Sequence, residues 1–291
     1  MKTNQWDVLC LDLDGTLLCK QGEVSDQNLH ALDRVKESGI ETVVATGRSF
    51  AECKHILERI NHTGVCITAG GSQLTNREGE SLRRNVVDDS VVQDVTDRVL
   101  HQKLRCLLLK DATSCDTQYV LVGDAPLHSA SEWWFESLGI SVHSVPTIDD
   151  DPWPAHTLRV GAVAHEDDLR SVAEQLEVEL EGRAKLQHWS AVTSAEATGS
   201  STHLLEVFGY TVNKWSMLEC HLGDEITELR IAAIGDGLND IEVLKEAKLS
   251  IAMANATEEV QGHANVIAGH HDEHGFAEAM SRWIIPRSPT L

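Results

Sequence analysis

Long apolar runs are missing from this sequence. No segment approaches the roughly 20 consecutive apolar residues that a bilayer crossing needs, and the amino-terminal MKTNQWD has no apolar signal-peptide centre. The expectation is a soluble, cytoplasmic protein with no membrane partner. Paired cysteines are missing too. The seven present (Cys10, Cys19, Cys53, Cys66, Cys106, Cys115 and Cys220) are odd in number and scattered without a C-x-x-C pair, which argues against a disulfide framework or a zinc site. Positive charge is scarce. The chain carries 24 Lys and Arg against 46 Asp and Glu, a formal net charge of -22, and such a surface repels nucleic acid and anionic lipid alike. An anionic small molecule would need a locally positive pocket built from a metal, a lysine or helix amino termini. Internal repeats, coiled-coil heptads and low-complexity tracts are absent as well.

What is present begins with VLCLDLDGT, Val8 to Thr16. The apolar residues Val8 to Leu11 and Leu13 read as a strand covered on both faces, as in a parallel sheet. Asp12 and Asp14 end that run, and Gly15 lets the backbone leave it sharply. Two carboxylates at the end of a buried strand are costly unless a positive group holds them. Mg2+, which takes one or two carboxylates plus substrate oxygens, suits the pair. An Asp-rich turn that only ends a strand is the alternative.

Strands then alternate with helices. Ser25 can cap a helix presenting Leu29, Leu32 and Val35, with Gly39 as its stop. ETVVAT, Glu41 to Thr46, is a short β-branched strand, a helix from Ser49 carries Phe50, Cys53, Leu57 and Ile60, and Val65 to Thr68 is the next strand. This alternation predicts an α/β fold with a doubly wound parallel sheet, whose ligands bind at the carboxyl ends of the strands.

The pattern changes after about Asn85. A helix with Val91, Val95 and Val99, paired strands Arg105 to Leu109 and Tyr119 to Val122, a strand Leu158 to Ala164, an amphipathic helix Glu166 to Leu180, and strands near Leu186 to Val192 and Leu204 to Phe208 read as an inserted α+β domain. Val145 to Pro154 reads as a loop. From Thr211 the first pattern resumes: Lys214 opens a helix, the strand Arg230 to Ile234 runs into GDGLND (Gly235 to Asp240), and a helix over Ile241 to Ala247, a strand over Leu249 to Ala252 and a helix over Phe276 to Trp283 follow. The tail from Pro286 is expected to fray. The boundaries are thus 1–86 with 209–291 for the sheet domain and 87–208 for the insertion.

An acidic strand end (Asp12, Asp14), a hydroxyl strand end (Thr46), a lysine opening a helix (Lys214) and a second acidic strand end (Asp236, Asp240) form an ordered set. Phosphoryl transfer calls for such a set, because it is catalysed by positioning and by electrostatic stabilisation from metal, lysine and hydroxyl donors. In this arrangement the sequence resembles the haloacid dehalogenase superfamily of phosphatases, and within it the Cof-type hydrolases with a large cap. DLDGT, ATGR, Lys214 and AIGDGLNDIEVLKEA match the four motifs, and IAMANA resembles a further family stretch. The resemblance implies a Mg2+-dependent phosphatase acting on a small phosphorylated metabolite, with a sugar phosphate the first expectation. It implies Asp12 as nucleophile, Asp14 as general acid and base, and Thr46 and Lys214 as holders of the phosphoryl oxygens. Gly47, Arg48 and Asn239 would contact phosphate or substrate, with Asn239 alternatively orienting Asp236. Mg2+ would be held by the Asp12 carboxylate, the Asp14 backbone carbonyl and Asp236, with Asp240 behind them.

Three positions depart from the family pattern: Trp215 follows the lysine where Gly is usual, Gly70-Gly71 replaces Asn-Gly, and Ala254 replaces the Gly of AMGNA. A phosphomutase of the same superfamily and a receiver-like signalling module are the alternative functions. Four of the seven tryptophans, Trp133, Trp134, Trp153 and Trp189, lie in the insertion, where packing is the expected role for at least two.

Overall fold

The computed structural model describes residues 5–190 and 202–285. By their contacts they divide into two units, Met1–Glu80 with Asn213–Leu291, and Ser81–Val212. The division falls six residues before the expected 86/87 boundary and four after the expected 208/209 boundary. The expected fraying tail, the final residues of the strand near Val192 and the amino terminus lie outside the described residues.

In the first unit six strands run parallel in the spatial order Val266–Ile267, Leu249–Ala252, Ile231–Gly235, Val8–Leu11, Glu41–Ala45, Cys66–Thr68, and Gln73–Thr75 then pairs antiparallel. Alternate residues of the central strand go to opposite faces. Leu9 and Leu11 join Leu32, Val35, Phe276 and Met280 on one side, whereas Val8 and Cys10 join Met217, Leu218, Val243 and Leu244 on the other. This is the doubly wound arrangement, and the chain reverses its winding direction at Val8–Leu11, between Glu41–Ala45 and Ile231–Gly235.

Polar residues set the helix starts. Ser25 Oγ accepts from Asn28 N at the head of Asp26–Glu37. Ser49 and Glu52 cap Phe50–Arg59 reciprocally, with Ser49 N donating to Glu52 Oε2 at 2.8 Å. Asn213 Oδ1 accepts from Ser216 N at 2.7 Å and fixes the first turn of Lys214–Leu222.

The second unit has its own six-stranded sheet, ordered Ala184–Ser190, Thr202–Gly209, Thr157–His165, Cys106–Lys110, Tyr119–Val122, Val142–Val145, antiparallel except for the last pair. Val91, Val95 and Val99 of Asp89–His101 and Leu169, Val172 and Leu176 of Glu166–Glu179 close over Leu108, Val120, Val160, Ala162 and Val207. Besides the short strand Ser81–Arg84, two elements of this unit were not foreseen. Val142–Val145 is a strand with three exposed residues, so it lacks the alternation that marks a half-buried strand. Ser129–Leu138 is a helix whose Trp134 and Phe135 pack on Tyr119, with ring centroids 5.8 and 5.1 Å away. Trp153 packs against the core of this unit, and Trp133 is exposed. The Val145 to Pro154 stretch is pinned by a buried lysine: Lys110 Nζ donates to Asp151 Oδ2 at 2.5 Å, Thr157 Oγ1 at 2.7 Å and the Trp153 carbonyl at 3.1 Å. No helix among the described residues is long and apolar enough to cross a membrane.

Candidate active site

Register brings the acids of the first unit together. Leu11 pairs with Ile234 on one side and Val44 on the other, so Asp12 comes next in line with Gly235 and Ala45, and its amide donates to Ile234 O at 3.1 Å. The chain then turns tightly through Leu13–Leu17, with Gly15 at φ +68°. Glycine is required there for a second reason: a Cβ on Gly15 would sit 2.1 Å from Asp236 Oδ2.

Asp12, Asp236 and Asp240 place carboxylate oxygens within 4.8 Å of one another. Among the described residues one ammonium is bonded to them. Lys214, wholly buried, donates from Nζ to Asp12 Oδ1 at 2.7 Å and to Asp240 Oδ1 at 2.6 Å. Asp240 Oδ2 accepts from the amides of Asp236 (3.1 Å) and Gly237 (2.9 Å), so this side chain holds the lysine and shapes the GDG turn at once.

The charge balance is uneven. Burial opposes the Lys214 ammonium, but the Asp12 and Asp240 carboxylates outweigh it and the Lys214 pKa lies above its ordinary value. Burial and then the neighbouring Asp240 charge push Asp12 well above the usual carboxylate range. The same two causes push Asp236 up to about 7. Three carboxylates against one lysine, two of them destabilised as anions, form an all-oxygen site that a hard divalent cation suits.

The other predicted residues fall around this cluster in different ways. Asp14 does not join the three acids; Arg48 grips it in fork geometry, Nε to Oδ2 at 2.8 Å and Nη2 to Oδ1 at 2.5 Å. Arg48, expected as a phosphate contact, is therefore paired with a carboxylate. Thr46 is buried at the end of Glu41–Ala45, its Oγ1 accepting from Arg48 N at 3.2 Å. Asn239 lies beside Gly47 and Gly237: a Cβ on Gly47 would be 3.3 Å from Asn239 Nδ2, and one on Gly237 2.8 Å from its Oδ1.

Packing accounts for Gly71, which keeps the family's glycine, and for Trp215, whereas Gly70, the departure from Asn, stands at φ +66°, a left-handed conformation open to either residue. Gly71, at φ +108°, lies so close to the entry of the Lys214 helix that a Cβ would meet Asn213 O at 2.2 Å. Trp215 is part of the apolar layer with Met217 and Leu218, and Ala254 is exposed.

Sequence reasoning missed the residues that hold Asp236. Thr16 Oγ1 donates to its Oδ1 at 3.2 Å. Asn255 Nδ2 donates to its Oδ2 at 3.0 Å and to Gly15 O at 2.8 Å, joining the two acidic turns. His271 N in turn donates to Asn255 Oδ1 at 3.1 Å. The available signal for Asn255 was a lone amide in IAMANA just past the Leu249–Ala252 strand end; for His271 there was none.

The chain is similar to known proteins over nearly all of its length. The sequence pattern of the family described as haloacid dehalogenase-like hydrolase matches residues 9–280. The chain is 27% identical over 285 residues to the 5-amino-6-(5-phospho-D-ribitylamino)uracil phosphatase YcsE of Bacillus subtilis, covering 96% of each chain. It is 29% identical over 299 residues to the HMP-PP phosphatase of Citrobacter koseri, covering 96% of this chain and 97% of that one. The crystal structure of a haloacid dehalogenase-like hydrolase from Bacteroides thetaiotaomicron superposes with a TM-score of 0.76 at 25% identity, over 96% of this chain and 99% of that one. The chain belongs to the haloacid dehalogenase-like hydrolase family.

Proposed function

We propose that this protein is a Mg2+-dependent phosphatase that hydrolyses a small phosphomonoester through a phosphoryl group carried on Asp12. The observation that carries the reading is the buried Lys214 ammonium held between Asp12 and Asp240, with Asp236 beside them, where two neighbouring strands of a doubly wound sheet end. Two relatives of nearly equal length are named phosphatases of small phosphorylated compounds, which supports the same substrate class. A sugar phosphate is the first candidate.

Asp12 Oδ1 is engaged by Lys214, so Oδ2 is the oxygen available to attack phosphorus. The P–O bond to the leaving group breaks as the new bond forms, and Asp14 gives the departing oxygen its proton. Asp14 then takes a proton from water, whose oxygen displaces Asp12 and releases inorganic phosphate. Arg48 holds both Asp14 oxygens before substrate arrives. Its planar fork fits phosphate oxygens as well as a carboxylate, so substrate binding draws Arg48 away, and the released Asp14 carboxylate takes from water the proton that it gives to the leaving oxygen. Thr46, Lys214 and the Gly47 and Asn239 edge hold the phosphoryl oxygens. Asp12, the Asp14 carbonyl and Asp236 would hold Mg2+, with Asp240 fixing Lys214 behind them. When bound, the cation supplies charge neutralisation for the phosphoryl oxygens. The inserted unit is assigned the choice of leaving group.

The test is a screen of phosphorylated metabolites, sugar phosphates first, with Mg2+ and after metal removal. Phosphate release that chelation abolishes and Mg2+ restores is expected. Full turnover in excess EDTA, or no turnover of any phosphomonoester, overturns the assignment.

A further inference from the structure

The stretch Gly269 to Gly275 reads GHHDEHG and supplies no carboxylate to the acidic cluster, which it meets only through the His271 amide on Asn255. His270, His271 and Asp272 nevertheless offer ligand atoms within 4.8 Å of one another. The two imidazole rings lie 4.8 Å apart, centroid to centroid.

Their neighbours determine which atoms are available. His271 Nδ1 lies 2.7 Å from Leu18 O. A carbonyl only accepts, so Nδ1 carries the proton and Nε2 the lone pair. Asp272 Oδ1 accepts from Lys20 N at 2.8 Å. Its other oxygen, Oδ2, lies 3.8 Å from His271 Nε2. His270 Nδ1 accepts from Asp272 N at 3.2 Å, a long contact that shows its lone pair to be on that atom. Two nitrogen lone pairs and one carboxylate oxygen thus lie close together at a partly exposed position, that of His270 turned to the Asp272 amide.

We propose that His270, His271 and Asp272 form a second metal site, which takes a borderline divalent ion such as Zn2+ and not the hard cation of the acidic cluster. Imidazole nitrogens favour zinc and its neighbours over Mg2+. A histidine ligand that gives its other N–H to a backbone carbonyl, as His271 does to Leu18, has its tautomer and ring orientation set for metal binding. Zn–N and Zn–O bonds of about 2.0–2.2 Å in tetrahedral geometry hold neighbouring ligand atoms roughly 3.3–3.5 Å apart, so the 3.8 Å between Nε2 and Oδ2 needs only a small side-chain rotation. His270 exchanges its long backbone contact for the ion, and water fills the fourth position. His271 and Asp272 keep their bonds to Leu18 and Lys20 when they ligate. The ion therefore fastens this loop to the segment that follows the DLDGT turn, where His274 Nδ1 also lies 3.2 Å from Ser25 Oγ.

The experiment titrates Zn2+ into the tag-free full-length protein by calorimetry, with excess Mg2+ present to occupy the acidic cluster, and follows Co2+ in parallel by its visible absorption. His271 also anchors Leu18, so the diagnostic variants are His270→Ala and Asp272→Asn; the latter keeps an oxygen for Lys20 N and loses the charge. One Zn2+ per chain, bound roughly tenfold or more weakly in both variants, with loss of the Co2+ bands and unchanged circular dichroism, is the expected result. Asp236→Asn should bind Zn2+ as the wild type does. Absence of saturable binding with Mg2+ present, or equal binding by wild type and both variants, overturns the proposal.

Discussion

Asp12 and Asp14 stand two residues apart, yet their surroundings differ in every respect that matters to a carboxylate. Asp12 is buried against an ammonium, whereas Asp14 is partly exposed and gripped by a guanidinium. The division of labour proposed for them has kinetic consequences. Asp12→Asn should remove turnover for every substrate, because no covalent bond can form. Asp14→Asn should be worst with sugar phosphates, whose alkoxide must be protonated, and milder in the first step with aryl phosphates. Rapid-quench kinetics of Asp14→Asn with an aryl phosphate should show a burst of phenol and a phosphoryl group mapped to the Asp12 peptide. Equal losses for both leaving groups without a burst would contradict these roles. The raised pKa of Asp236 makes a further expectation. A carboxyl at about 7 in the folded protein, against roughly 3.9 unfolded, binds its proton preferentially in the folded state between those values. The metal-free protein should accordingly gain stability as pH falls from 7 towards 4. Mg2+ competes with that proton, so its affinity should rise with pH through about 7. Calorimetry at pH 6.5 in buffers of different ionisation enthalpy should detect protons released on Mg2+ binding, fading at higher pH; no release at pH 6.5 would contradict the coupling. What was legible at this scale was residue type and order. Lys214 is by default a solvated lysine, and only its place between two acidic strand ends marked it. The Arg48 to Asp14 pairing was not legible, because an arginine after Thr-Gly suits a phosphate and a carboxylate equally.

Turns, more than strands, set the site at the scale of elements. Five of the six parallel strands were readable from their apolar, β-branched runs, all but the two-residue Val266–Ile267, and the helices from Ser25, Ser49 and Lys214 from their starts. Gln73–Thr75 and Ser81–Arg84 were not, since three- and four-residue strands carry too little pattern. Nor was the tie from Asn255 to Gly15 and Asp236, which joins residues 240 and 19 positions apart in the chain. The GHHDEHG loop was also silent, because the usual search for a transition-metal site starts from cysteine spacing. The sharpest element-level expectation concerns Gly15. In Gly15→Ala the new methyl must displace the Asp236 carboxylate or change a turn held at φ +68°. Either outcome moves a proposed metal ligand while leaving both apolar layers intact. Mg2+ affinity and turnover should fall by about tenfold or more, with an unfolding free energy lowered by only about 1–3 kcal/mol. Wild-type Mg2+ affinity in this variant would show that the turn can relax without disturbing Asp236.

Across the whole molecule, the chain builds two cores that share no residue: the layers around the Val8–Leu11 sheet and the valine-rich layer under the second sheet. The acids and Lys214 all belong to the unit made of both chain ends, Met1–Glu80 and Asn213–Leu291. The insertion Ser81–Val212 is one continuous stretch with helices and sheet of its own, and domains of this size commonly fold alone. These facts predict how heat and metal act together. Scanning calorimetry of the intact protein should resolve two transitions, one of them at the temperature where the separately expressed Ser81–Val212 fragment unfolds. A ligand that binds only the folded state raises the midpoint of the unit that holds it. Mg2+ should therefore shift the other transition upward and leave the fragment-like one in place. The isolated fragment should show neither a Mg2+-dependent midpoint nor phosphate release. A single transition that moves as a whole with Mg2+ would mean that the two cores unfold as one cooperative block, and a fragment stabilised by Mg2+ would place a cation site where the acidic cluster is absent.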